Sequence, residues 1–266
     1  MGAQHPIAMA SGIMPEATPV QLIEAAAFGG FDFGGMWFEP KLWTSQTTRD
    51  VRRAMESTGV RLLDIEVVWL KPGPPDPEHA RLVEVGAELG ARNVLCVSSD
   101  PDMAATEAKL AALMELGERL NIRINLEFGL FTEVKTLAQA RGIVEGIGST
   151  AGGVLVDSLH LQRSGGTPTD VVVIPSSLMS YIQLCDAAKD FPGEKTFETI
   201  IEEAIDHRMP MGTGALPLWE IIAALPDGFP IAIEERSKPL RDNFADLNAR
   251  AKECRRSVKA FFDREV

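Results

Sequence analysis

Residues 93–128 read NVLCVSSDPDMAATEAKLAALMELGERLNIRINLEF. The stretch opens on Asn93–Val97, a short apolar run, and closes on a second such run, Arg123–Phe128. Between them lies Ala104–Leu120, where Ala108, Leu110, Ala111, Leu113, Met114, Leu116 and Leu120 keep the spacing of a helix buried on one face. Asn121 follows it, at the position where a left-handed cap ends a helix. Strand, crossover helix and strand make one parallel βα unit.

The unit recurs on both sides. Strands are expected at Ile7–Met9, Phe31–Trp37, Leu62–Val68, Val154–Asp157, Tyr181–Leu184 and Pro230–Glu234. Helices are expected at Val20–Phe28, Arg49–Thr58, Glu78–Leu89 and Leu137–Ile147, with Gly29, Gly59 and Gly90 as further caps. Asn248–Phe262 reads as a closing helix, its Arg255, Arg256 and Lys259 suited to a helix C-terminal half. An open doubly wound sheet competes, but Gly12 stands nearly alone where a G-x-G-x-x-G would follow the first strand. Eight even units favour closure into an α/β fold, the (β/α)8 TIM barrel, as a single domain over 1–266; such barrels take about 250 residues. The longest irregular stretches, Trp69–Pro77 with its four prolines and Ala187–Leu216, both follow strands. They belong on the face where barrel sites are built, as candidate lids or substrate loops.

The net charge of −12 makes nucleic acid and anionic lipid poor partners. Three scattered cysteines argue for reduced thiols and a cytoplasmic protein rather than a disulfide framework. Residues 1–30 show neither a secretory nor a transit pattern, and no apolar run reaches the length of a spanning helix. A homo-oligomer is compatible with all of this, and the sequence shows no face for it.

Four of the later strands end in a group able to bind metal: Ile-Asn-Leu-Glu127, Val-Leu-Val-Asp157, Tyr-Ile-Gln183 and Ile-Ala-Ile-Glu234. A charge at the end of an apolar strand needs a partner. In a barrel these ends meet on one rim, where three carboxylates repel one another unless a cation sits between them. Such oxygen-rich ligation suits one divalent ion, Mn²⁺ or Mg²⁺ first, then Co²⁺ or Zn²⁺. The competing reading has each carboxylate cap a helix or pair with an arginine. Three residues past Asp157 stands His160, near that rim and best placed of the four histidines to touch a substrate. Trp37, Trp43, Trp69 and Phe131 are expected on the same rim, and Trp69 directly follows the third strand. Arg208 and the Gly212–Gly214 turn are candidates to meet a phosphate or carboxylate.

Taken with Leu-Asp-Ile-Glu66-Val, Leu-Glu127-Phe, Val-Asp157-Ser-Leu-His160, Ile-Gln183-Leu-Cys-Asp186-Ala, Gly212-Thr-Gly214-Ala-Leu-Pro-Leu and Ile-Glu234-Glu-Arg236-Ser, the chain resembles the sugar phosphate isomerase/epimerase branch of the xylose isomerase-like TIM barrels. That group includes D-tagatose 3-epimerase and hydroxypyruvate isomerase and, more distantly, endonuclease IV. The resemblance implies that Glu127, Asp157, Gln183 and Glu234 hold the metal, with Gln183 standing where the epimerases have histidine. It places His160 on the substrate carbonyl or adjacent hydroxyl, and Lys189 where the epimerases have an arginine. Glu66, Trp69, Arg208 and Arg236 complete the expected substrate-binding set. The implied reaction is isomerisation or epimerisation of a small keto sugar or hydroxy-carbonyl compound through a metal-stabilised enediolate, with Glu127 and Glu234 as base and acid.

Two other readings stay open. The same chemistry could serve a lyase or dehydratase acting on a non-sugar or glycoside-derived ketone, or the barrel could bind a ligand without turnover. DNA repair of the endonuclease type ranks below these, because the chain has neither a histidine-rich set for three metals nor a basic groove.

Overall fold

A computed structural model describes residues 5–265; of the expected 1–266 domain, Met1–Gln4 and Val266 lie outside them. Eight parallel strands close into one barrel in chain order, β1 to β8. They are β1 (Ile7–Met9), β2 (Phe33–Trp37), β3 (Arg61–Leu70), β4 (Asn93–Ser98), β5 (Arg123–Glu127), β6 (Gly152–Asp157), β7 (Ile182–Leu184) and β8 (Ile231–Ile233). Closure is the β1–β8 pair, with Ile7, Ala8 and Met9 opposite Ile231, Ala232 and Ile233. Every expected strand is present, and β3 runs on to Leu70, so Trp69 lies in the strand and not in a loop.

The outer ring starts with α1 (Pro19–Gly29), α2 (Ser45–Thr58), α3 (Pro77–Glu88), α4 (Met103–Leu120) and α5 (Leu137–Ile147). Capping boxes at Thr18, Thr44 and Thr136 and aspartate caps at Asp76 and Asp102 set their starts. The left-handed residue after α1 is Gly30, one position beyond the expected Gly29, which remains helical. Period-2 alternation divides the strand residues. Leu63, Leu95, Val97, Leu155 and Tyr181 form one small cluster with Ala8, Phe33 and Ala232, whereas Val94, Cys96 and Val154 join the large core beneath the helices.

Past β6 the chain is more broken. It forms α6 (Ser158–Arg163), α7 (Pro168–Val172), α8 (Phe197–Asp206), α9 (Leu218–Ala223) and α10 (Lys238–Asn243) before the closing α11 (Leu247–Phe262). The Ala187–Leu216 stretch is therefore not a bare loop, since α8 occupies its middle. A buried ion pair ties α8 down: Arg163 donates through Nη2 to Glu203 Oε1 at 2.6 Å and through Nε to Oε2 at 2.9 Å. The same guanidinium reaches the carbonyls of Ala188 and Lys189 at 2.7 and 3.1 Å. Arg163→Met leaves Glu203 buried without its counter-charge and should cost about 3–5 kcal/mol in urea denaturation, with Arg163→Met/Glu203→Leu losing less than the single variant.

Candidate active site

Glu127 closes β5, Asp157 closes β6, Gln183 stands in β7 and Glu234 follows β8 directly. Asp157 and Gln183 are register partners, and the Gln183 amide reaches Glu234 Oε2 at 3.4 Å. Glu66 joins them from β3, opposite Trp37 of β2, and accepts from the Ser11 hydroxyl at 2.5 Å. The cavity at this rim measures about 110 Å³. Glu66, Glu127, Gln183, Glu234, His160, Arg208 and Arg236 give it polar walls, and Leu95, Val97, Trp37, Trp69 and Phe131 give it apolar ones. Ile201 and Ile205 of α8 also line it, so the stretch expected to be a lid does border the site.

Asp157 lies fully buried behind these residues. Its Oδ1 accepts from the His160 backbone N–H at 3.0 Å and its Oδ2 from Arg208 Nη1 at 2.6 Å. Asp157 thus caps α6 and pairs with Arg208, and each of its oxygens keeps a further lone pair. The other two nitrogens of Arg208 face the Ala204 carbonyl, at 2.7 Å from Nε, and His160 Nε2, at 3.3 Å from Nη2. Arg208 is thereby committed to positioning its neighbours. Arg236 makes no such contacts: its Nε is buried without a hydrogen-bond partner among the described residues.

Burial, opposed by the Asp157 charge, drops the His160 imidazole to about 4, so it is neutral at pH 7. Burial and then the neighbouring Glu66 charge raise Glu234 to about 7. Burial and then Asp64 raise Glu66 to about 7, while burial and then Asp157 raise Glu127 well above its ordinary value. Burial also works against Asp157, but the Arg208 guanidinium beside it outweighs that and holds its carboxyl low.

Asp64 was not anticipated. It sits two residues before Glu66 on the same face of β3, and burial lifts it to about 7. Neither of its oxygens has a hydrogen-bond partner among the described residues. The i, i+2 spacing in Leu-Asp64-Ile-Glu66 carries the signal, because both side chains must point into the barrel.

Three expectations change. Lys189 is exposed on the stretch after β7, contributes its carbonyl to Arg163 and does not line the cavity; Arg208 brings the guanidinium there instead. Trp43 packs against Phe38 with ring centroids 5.1 Å apart, away from the cavity that Trp37, Trp69 and Phe131 line. The amides of Gly212 and Gly214 donate to Asp186 Oδ2 at 3.0 and 2.9 Å, so the turn is spent on Asp186 rather than open to an anion.

The carboxylates stand apart: among the described residues, no three His, Cys, Asp or Glu are grouped closely enough to hold an ion. The donor chemistry nonetheless suits a divalent cation. Glu127 is buried with only charges bearing on it, and three of them, Asp157, Glu234 and Glu66, repel its ionised form. Gln183 adds a neutral amide beside Glu234.

The raised carboxyls make a pH prediction. A carboxyl whose folded pKa lies above its unfolded one holds its proton more tightly when folded, so its stabilising contribution is full at low pH and is lost as pH rises through the folded value. Burial raises Glu235, on the α11 side of β8 near Cys254 and Ser257, from 4.5 to about 7. Chelator-treated protein should therefore lose stability between pH 4.5 and 8. Glu235→Gln should remove roughly 3 kcal/mol of that dependence, read from denaturation midpoints across the range.

Residues 20–259 match the family described as xylose isomerase-like TIM barrel. The chain belongs to that family. Among solved structures, a xylose isomerase-like TIM barrel/4-hydroxyphenylpyruvate dioxygenase fusion protein superposes with a TM-score of 0.79 at 22% identity, over 96% of this chain and 42% of that one. This chain thus spans less than half the length of the fusion protein. The IOLI protein with a bound zinc atom superposes at 0.78 with 17% identity, over 97% of this chain and 96% of that one. D-psicose 3-epimerase from Clostridium cellulolyticum H10, crystallised with D-tagatose, superposes at 0.71 with 14% identity, over 96% and 98%. No curated protein sequence matches this chain. At these identities the likeness of this xylose isomerase-like barrel to its neighbours is one of fold. Among its described residues, no helix is long and apolar enough to cross a membrane.

Proposed function

We propose that the rim cavity catalyses metal-dependent proton transfer next to a carbonyl, as an isomerase or epimerase of a small keto sugar or hydroxy-carbonyl compound. The observation that carries the reading is the pair Glu127 and Glu234. Both are buried, both line one small cavity and both are held above the usual carboxylate range. Burial without an ion strengthens both carboxyls as proton acceptors, which favours a base that works near neutral pH.

Glu127, Asp157, Gln183 and Glu234 would hold the ion. When bound, a divalent ion polarises the carbonyl and its neighbouring hydroxyl, which makes the proton between them easier to remove. Glu127 and Glu234 then take and return that proton on opposite faces of the carbon. Neutral His160 offers a substrate oxygen one N–H without adding charge. Arg208 keeps Asp157 ionised and the imidazole oriented, and Glu66 and Trp69 border the rest of the substrate.

A zinc atom in the similarly folded IOLI protein and the epimerase among the neighbours agree with this reading. Elemental analysis of protein purified without chelator should find about one Mn, Mg, Co or Zn per chain, and keto-sugar and hydroxy-ketone screens should yield products of unchanged mass. Products of lower mass would instead assign a lyase. Absence of any ion, even after soaking in Mn²⁺, would remove the reading.

A further inference from the structure

The rim cavity is too small to be a complete ligand site, since such sites typically run about 300–1,000 Å³ and this one measures about 110 Å³. A second concavity of about 620 Å³ adjoins it, and the two share Val67 and Trp69 as a common wall. Its walls also take in Pro72, Pro74 and Pro75 of the segment after β3, Leu82 of α3 and Leu113 of α4, together with the charged side chains of Lys71, Asp76, Glu78 and Arg119. We propose that this groove is the second half of the substrate site and takes a flat, apolar or aromatic body attached to the hydroxy-carbonyl head. The proposal rests on the functional reading above and names its substrate class.

Three observations carry it. Trp69 stands between the two spaces, with its indole N–H held by the Ser99 hydroxyl at 2.8 Å, so the ring is fixed as a partition and a stacking surface. The groove is pre-formed: buried Lys109 is paired with Asp100 at 2.7 Å and donates to the Lys71 carbonyl at 2.6 Å, pinning the start of the proline segment. Proline fixes φ and lacks an N–H, so this wall presents carbon and few donors. The lining is more apolar than polar, and leucines and prolines beside an indole give a ring with few hydroxyls more contact than a free sugar would gain.

The probes are dihydroxyacetone, which carries the head alone, and 2-hydroxyacetophenone, which carries the same head on a phenyl ring. Affinities are read by calorimetry on the full chain with Mn²⁺ present. The aromatic ketone should bind at least about tenfold more tightly. Ala112→Trp, at an exposed position of α4 on the groove, should cut the ratio of the two affinities by about tenfold, and Leu116→Gln should cut it in the same direction. Equal affinities, or a ratio unmoved by both variants whose melting temperatures match the parent, would overturn the groove and leave the rim chemistry standing. If neither ketone binds, the functional reading fails and this inference fails with it.

Discussion

Glu127→Gln and Glu234→Gln should each lower turnover of a hydroxy-carbonyl substrate by about 10²–10⁴-fold while leaving the metal-free fold as stable as before, or more so. Activity and stability move in opposite directions because of where the two carboxyls sit. Each is buried among like charges, which penalises its ionised form. The amide keeps the shape, removes the charge and cannot carry the proton. Steady-state rates give the first half of the prediction, and thermal denaturation of chelated protein at pH 8 gives the second. A residue kept only for packing would show neither the rate loss nor the gain in stability at high pH.

Arg208→Met should be the most damaging single change to the fold near the site, at about 3–5 kcal/mol. Arg208 and Asp157 are 4% and 0% exposed and lie 2.6 Å apart. Without the guanidinium, Asp157 is left as a buried charge, and its carboxyl pKa should climb from a low value. The cost in urea should therefore shrink as pH falls and Asp157 takes up a proton. Asp157→Asn/Arg208→Met should recover part of the loss at pH 7. Turnover should fall as well, because Arg208 also faces His160. An Arg208→Met protein as stable as the parent at pH 7 would mean that another cation serves Asp157.

Much of the barrel is legible in the sequence because closed parallel strands and one-sided helices leave simple marks. β4, α4 and β5 show apolar runs and a helical period, and Asn121 does adopt the left-handed cap expected of it. The strand-end groups are legible for the same reason: Glu127, Gln183 and Glu234 follow apolar residues that fix both their depth and their direction. What escapes is whatever depends on contacts distant in the chain. Arg208 reads as an isolated arginine in a Gly/Pro-rich stretch, and only folding places it 51 residues back, against Asp157. The resemblance places Lys189 where the epimerases have an arginine, yet its backbone carbonyl is what the structure uses. The helix α8 had a readable signal, because Phe197, Ile200, Ile201, Ala204 and Ile205 keep helical spacing behind the Thr196 capping box. The glycines and prolines flanking it hid that signal. Asp64 was readable too, through its period-2 relation to Glu66, but its shifted titration comes from burial, which only the folded barrel imposes.

The most direct test of the central claim is deuterium wash-in from D₂O at the carbon beside the carbonyl of dihydroxyacetone, followed by mass spectrometry after quenching. The parent protein with Mn²⁺ or Mg²⁺ should exchange that position about 100-fold faster than buffer with the same ion, and Glu127→Gln/Glu234→Gln should fall to the buffer rate. Exchange that is no faster than buffer with any divalent ion, or that persists undiminished in the double variant, would contradict proton transfer by these two glutamates.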